Sequence, residues 1–219
     1  MMEDFGYFQA IIDNMELINN TQADAIRAAG KLMADAVAGD RLINVYGGGG
    51  HTTLPVGEMF FRAGGLANIN PVMETALSVF NQALKYLELE RTVNFGSSIV
   101  KYYDLKPGDL LIIFHNIGIN AATIDAAIEA KKEGVKLNAV SSSHWQNEIP
   151  CDHFIRHPSK KNLFDFADVA IDDFNPVGDA SVKVPGFETG IAPISNIIDF
   201  YIAHLLEIET VKQCVERGI

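Results

Sequence analysis

Apolar positions in this chain change spacing after about residue 40. Phe5, Phe8, Ile11, Ile12 and Met15 recur at helical intervals, and Ala25, Ile26, Ala29, Leu32, Met33 and Ala36 continue a second helical stripe that Gly39 closes. Thr21 and Asp24 have the spacing of a capping box at the start of that second helix. Beyond them the apolar residues cluster in short continuous runs: Leu42–Tyr46, Asn68–Met73, Leu110–His115, Leu137–Ser141 and Val169–Asp172. Runs without polar alternation predict strands buried on both faces, and hence a parallel sheet. Helical segments are predicted between them, over Thr53–Ala63, Ser97–Tyr103 and Asn120–Glu133, the last with Gly134 as its C′ residue. Lys106-Pro107-Gly108-Asp109 is a turn signal before the third and most apolar strand. This alternation predicts a three-layer α/β domain with right-handed crossovers. Near the end, Ser181–Val184 and Phe187–Thr189 flank Pro185-Gly186 as a small hairpin or loop flap, and a final helix runs from about Ile194 to Glu216. With no internal repeat or linker, residues 1–219 read as one domain: helices over 1–40, then an α/β core over 41–219.

Composition narrows the function classes. A chain of 219 residues is long enough to bury a full core. A formal net charge of −11 opposes binding to nucleic acid or to an anionic membrane surface, so neither partner is expected. An anionic ligand would have to be held by local dipoles. Met1-Met2-Glu3-Asp4 lacks a basic start and an apolar signal core, and no segment approaches the ~20 apolar residues of a membrane span. Cys151 and Cys214 lack metal spacing and suggest a reducing compartment, so a cytoplasmic protein is expected.

The candidate chemistry lies in the loops after the strands. Gly47-Gly48-Gly49-Gly50-His51-Thr52-Thr53 joins an apolar strand to a helix start, which gathers free backbone N–H groups suited to an anion, and Thr52 and Thr53 add hydroxyls. It is neither a Walker loop nor a dinucleotide fingerprint. A second loop, His115-Asn116-Ile117-Gly118-Ile119-Asn120, follows the third strand, and a third, Ser141-Ser142-Ser143-His144, follows the fourth. In a parallel sheet all three leave the same edge, where ligands of such sheets collect. His144, Cys151, His153 and His157 lack the regular spacing of metal ligands and read as a polar loop; no metal and no cofactor is expected.

These residues resemble the sugar isomerase (SIS) domain family. The likeness is carried by Gly50-His51, by Glu58-Met59-Phe60-Phe61-Arg62-Ala63-Gly64-Gly65-Leu66, by Asn70-Pro71, Glu74 and Leu89-Glu90-Arg91, and by Phe164-x-x-Ala167-Asp168 and Pro176-Val177-Gly178-Asp179-Ala180. It covers most of the chain from about residue 40 and is greatest to a bacterial branch of phosphosugar-binding SIS proteins. The resemblance implies a five-stranded parallel sheet in a doubly wound sandwich, a small-molecule sugar phosphate as ligand, and a homodimer or homotetramer. By position, Gly49, Gly50, His51 and Thr52 would hold the ligand, and Ser141, Ser142 and Ser143 would match the family's phosphate-binding hydroxyls. Thr53, Asn116, Gly118 and Asn120 complete the candidate binding set. Where the family has Asn-Ser-Gly in the second loop, this chain has Asn116-Ile117-Gly118, which removes one expected phosphate donor.

Aldose–ketose interconversion needs a base over the sugar and an acid partner. Glu58, on the helix after the first loop, resembles a glutamate in SIS isomerase sites. Glu74 follows the second strand, and His51 sits in the glycine loop. His204, on the final helix, resembles a catalytic histidine of phosphoheptose isomerases. The expected function is therefore a phosphosugar isomerase. The alternatives are a sugar-phosphate sensor without turnover, and a lyase or etherase acting on amino-sugar phosphates.

Overall fold

A computed structural model describes residues 5–80 and 83–219; the N-terminal reading of Met1–Asp4 lies outside the described residues. Helices α1 (Tyr7–Thr21) and α2 (Ala23–Ala38) lead into strand β1 (Ile43–Gly47), followed by α3 (Thr53–Phe60), β2 (Ile69–Val72), α4 (Ala83–Glu90), α5 (Phe95–Tyr103), β3 (Leu110–Phe114), α6 (Ala121–Lys132), β4 (Lys136–Ser141), α7 (Ser143–Glu148) and β5 (Val169–Asp172). Short strands β6 (Ala180–Val182) and β7 (Ile191–Pro193) precede the terminal helix α8 (Ser195–Glu216).

The five main strands form one parallel sheet in the order β2-β1-β3-β4-β5. All five residues of β3 are buried. Ile112 and Phe114 pack on one face with Met33 of α2, Val56 and Met59 of α3, and Ile198 and Ile202 of α8. Leu111 and Ile113 pack on the other face with Ile99 and Val100 of α5 and Ile124 and Ala127 of α6. Each such side chain contributes about 1.5–3 kcal/mol by leaving water. The sandwich is thus doubly wound, and β3 is its spine.

The register sets the edge from which the candidate loops leave. Gly47 pairs with Phe114, Phe114 with Val140, and Ser141 with Asp172. Strands β1, β3, β4 and β5 therefore end at one level.

Several local expectations need correction. No capping box forms at Thr21 and Asp24: α2 starts after Gln22, and the Thr21 hydroxyl bonds back to the Leu17 carbonyl. The hairpin exists, but its second arm is Ile191–Pro193, because β6 pairs antiparallel with β7 beyond Phe187–Thr189. The α3 helix stops at Phe60, before Ala63. Helices α4 and α7 were not among the predicted segments. Gly134 does take the left-handed C′ conformation, with φ of 73°.

Helices α5 and α6 cross so closely that a methyl group at Gly96 would overlap the Ala122 carbonyl. Gly96→Ala should lower the unfolding free energy by about 1–3 kcal/mol in chemical denaturation. Gly57→Ala, where the nearest atom to an added methyl is Met73 Cε at 3.5 Å, should cost nothing and gain up to about 1 kcal/mol of helix propensity.

Candidate functional site

The three polar loops meet, and backbone bonds continue past the strands to join them. Gly48 N donates to the Phe114 carbonyl at 3.4 Å, His115 N to Val140 at 3.0 Å, and Ser142 N to Asn116 at 3.0 Å. Side chains add to this. His51 Nε2 lies 2.9 Å from Asn116 Oδ1, and the Ser141 hydroxyl donates to the His115 carbonyl at 2.7 Å.

The glycine loop is braced by its own hydroxyls. Thr52 Oγ1 accepts from Gly49 N at 3.0 Å and donates to the Gly49 carbonyl at 2.9 Å, while Thr53 Oγ1 donates to the Gly50 carbonyl at 2.8 Å. The glycines permit close approach from α4. A Cβ at Gly49 would stand 2.9 Å from both Glu90 Oε2 and His115 Nε2, and one at Gly50 would be 2.6 Å from the Tyr86 ring. The loop is therefore covered on this side by Tyr86 and Glu90.

In the second loop, Gly118 takes φ of 63° and donates its N–H to His115 Nδ1 at 2.8 Å. Burial, with the neighbouring His51 as the smaller cause, pushes the His115 imidazole down to about 3, so it is neutral with its proton on Nε2. Asn116 Nδ2 donates to Asp173 Oδ2 at 2.9 Å and to both Asp199 oxygens at 3.2 Å. Asn120 Nδ2 donates to Glu90 Oε1 at 2.8 Å. Asn120 Oδ1 and Thr123 Oγ1, both buried at the start of α6, have no partner among the described residues.

The third loop serves as a joint. Ser141 also accepts from Gln146 Nε2 at 2.9 Å. The Ser142 hydroxyl donates to the Asn175 carbonyl at 2.6 Å and accepts from His144 N at 3.1 Å, capping α7. Ser143 N donates to Asp172 Oδ1 at 3.0 Å, and its side chain is half-buried. The first two hydroxyls are thus engaged within the chain.

The other candidates lie to one side. Five residues into α3, about 8 Å along the helix axis from Thr53, Glu58 Oε1 stands 3.3 Å from His204 Nε2 and 3.2 Å from Arg62 Nε. Glu207 Oε2 holds His204 Nδ1 at 2.8 Å. Burial raises the Glu207 carboxyl above its usual range. His204 and Glu207 open onto a cavity of about 510 Å³ with Arg62, Gly64, Gly65 and Lys212. Glu74 instead caps a short turn, accepting from Ala76 N at 2.8 Å, and lines a separate cavity of about 280 Å³ with Thr53 and Phe80. His157, read from sequence as part of a polar loop, is buried with Nε2 3.1 Å from Asp125 Oδ1.

Sequence reasoning missed three carboxyls. Glu90 ends α4, a helix not predicted from the sequence, and burial raises it to about 7. Burial likewise raises Asp173 to about 7 and Asp199 well above its usual range. Asp199 did leave a signal, a lone acid within the apolar stripe Ile197-Ile198-Asp199.

A doubly wound parallel sheet with a braced glycine loop at its carboxyl edge defines the class of this protein. The SIS-domain family model matches residues 6–142, and the chain belongs to that family. A UPF0309 protein of Thermoanaerobacter pseudethanolicus is 33% identical over 217 residues, spanning 97% of this chain and 86% of the relative. Among solved structures, a phosphoheptose isomerase from Francisella tularensis superposes with a TM-score of 0.62 at 14% identity, covering 94% of this chain and 95% of that one. The sugar isomerase domain of a transcription factor from Sphaerobacter thermophilus gives 0.53 at 19% identity, covering 96% and 90%. At such identities these likenesses establish the fold. Among the described residues, no helix is long and apolar enough to cross a membrane.

The raised carboxyl of Glu90 has a measurable consequence. Between about pH 4.5 and 7 the folded chain keeps a proton there that the unfolded chain has released. Its contribution to stability is therefore full below that window, declines as pH rises, and is lost above about 7. Glu90→Gln should gain stability relative to wild type by about 3 kcal/mol across this window, read from denaturant titrations at each pH.

Proposed function

We propose that the protein binds a phosphorylated sugar along this edge and interconverts its aldose and ketose forms, with Glu58 and His204 moving the proton. The observation that carries this reading is the Glu58–His204 pair, 3.3 Å apart, with Glu207 holding the other histidine nitrogen. Glu58 would take the proton from the carbon next to the carbonyl. The bonding electrons form the enediol double bond while His204 gives a proton to the carbonyl oxygen. Returning the first proton to the neighbouring carbon, and recovering the second from the other hydroxyl, completes an isomerisation with no net change of atoms. Arg62 and Lys212, beside the same cavity, add positive charge for an anionic substrate. The start of α6, with the unpartnered Thr123 hydroxyl, offers a further donor. The family and its isomerase neighbours support this substrate class.

A second reading, a sensor without turnover, is favoured by one observation: Tyr86 and Glu90 cover the glycine loop, so a ligand reaching it displaces α4. In either reading a homo-oligomer in the cytosol is proposed. Exposed Phe5, Phe8 and Phe61 suit self-association, and the thiols of Cys151 and Cys214 are free.

A panel of hexose, pentose, heptose and amino-sugar phosphates should include one that stabilises the protein by about 2.7 kcal/mol at a hundredfold excess over Kd. That compound should be isomerised, and Glu58→Gln should lower kcat by about 100- to 10,000-fold while the thermal shift persists. Stabilisation without conversion by wild type would favour the sensor; full activity in Glu58→Gln would overturn the assigned base.

A further inference from the structure

The half-buried ring of His51 has one nitrogen committed and one free. Nε2 lies 2.9 Å from Asn116 Oδ1, while Nδ1 has no hydrogen-bond partner among the described residues. Which nitrogen carries the proton is decided one bond deeper. The amide nitrogen of Asn116 serves Asp173 at 2.9 Å and Asp199 at 3.2 Å, and both carboxyls are wholly buried. Turning that amide over would aim its oxygen at two buried carboxyl groups and strip both of their donor. Once ionised, Asp173 can only accept. Asn116 therefore presents oxygen to His51, and His51 donates to it. The imidazole proton sits on Nε2, and Nδ1 keeps its lone pair.

We propose that His51 Nδ1 is an acceptor for a sugar hydroxyl and not a phosphate contact, and that Asn116, Asp173 and Asp199 are positioning residues that hold it so. A hydroxyl donates to such a lone pair. A phosphate dianion has only acceptor oxygens and is disfavoured there unless the ring takes up a second proton. The neighbouring Thr52 and Thr53 hydroxyls are turned onto backbone carbonyls, so they do not offset this preference. The glycine loop thereby selects the hydroxylated part of its ligand, and the phosphate is left to the other donors along the edge. This assignment rests on the phosphosugar reading for its ligand, but its core is a protonation pattern of the free protein and fails separately.

The test uses the full chain with isotope-labelled histidine and long-range proton–nitrogen correlation spectra. Spectra are recorded well above pH 7, past the raised titration of Asp173. His51 is identified by the signals missing from His51→Gln. The expected result is the Nε2–H tautomer, with Nδ1 resonating as an unprotonated nitrogen and unchanged on adding inorganic phosphate. Asn116→Leu should let the two tautomers exchange; if that variant does not fold, the wild-type spectrum decides alone. An Nδ1–H pattern in wild type, or conversion of His51 to imidazolium by phosphate, overturns the proposal. Failure of every sugar phosphate in the panel would sink the phosphosugar reading and leave the tautomer as measured.

Discussion

Everything at the candidate site depends on β3 being buried on both faces. Its five residues have no solvent side, so neighbouring strands must satisfy its backbone along its whole length, and helices must cover both faces. Those requirements fix the register. Because Gly47, Phe114 and Val140 stand level, the chain leaves three strands at one height, and each following loop begins beside the next. The polar edge is a consequence of an apolar spine.

Holding three loops together there requires buried polar groups, and several of them bond from one loop to the next. Ser141 of the third loop bonds to the second, Asn116 of the second to His51 of the first, and Asp173 beyond β5 to Asn116. Burying Asp173 and Asp199 is costly in the ionised state, which is why both are shifted upward. A fold that only needed stability would place apolar side chains there. Costly carboxyls gathered at a strand edge mark a candidate site.

Helix α4 adds a second layer. Its Tyr86 and Glu90 lie against Gly50 and Gly49, where any side chain on the loop would exclude them. The glycine run thus serves close packing as well as backbone freedom. Glu90, with Asn120 on one oxygen, ties this cover to the start of α6. The cover and the proposed ligand-binding loop occupy the same few residues.

The residue pattern alone was enough for the sheet, its parallel sense and its layering, because uninterrupted apolar runs such as Leu110–Phe114 admit few other arrangements. It also marked the loops, since glycine, hydroxyl and amide residues concentrate where strands end. It could not show that Ser141 and Ser142 would spend their hydroxyls on carbonyls, or that Glu58 and His204, 146 residues apart, would stand within 3.3 Å. Nor did it show that Glu90 would be buried against the glycine loop, or the partnership of Asp173 and Asp199 across Asn116. Burial and hydrogen-bond partners are properties of the packed chain. Periodicity is local and survives in one dimension; a carboxyl's surroundings are set by elements distant along the chain, and exist only once these have met.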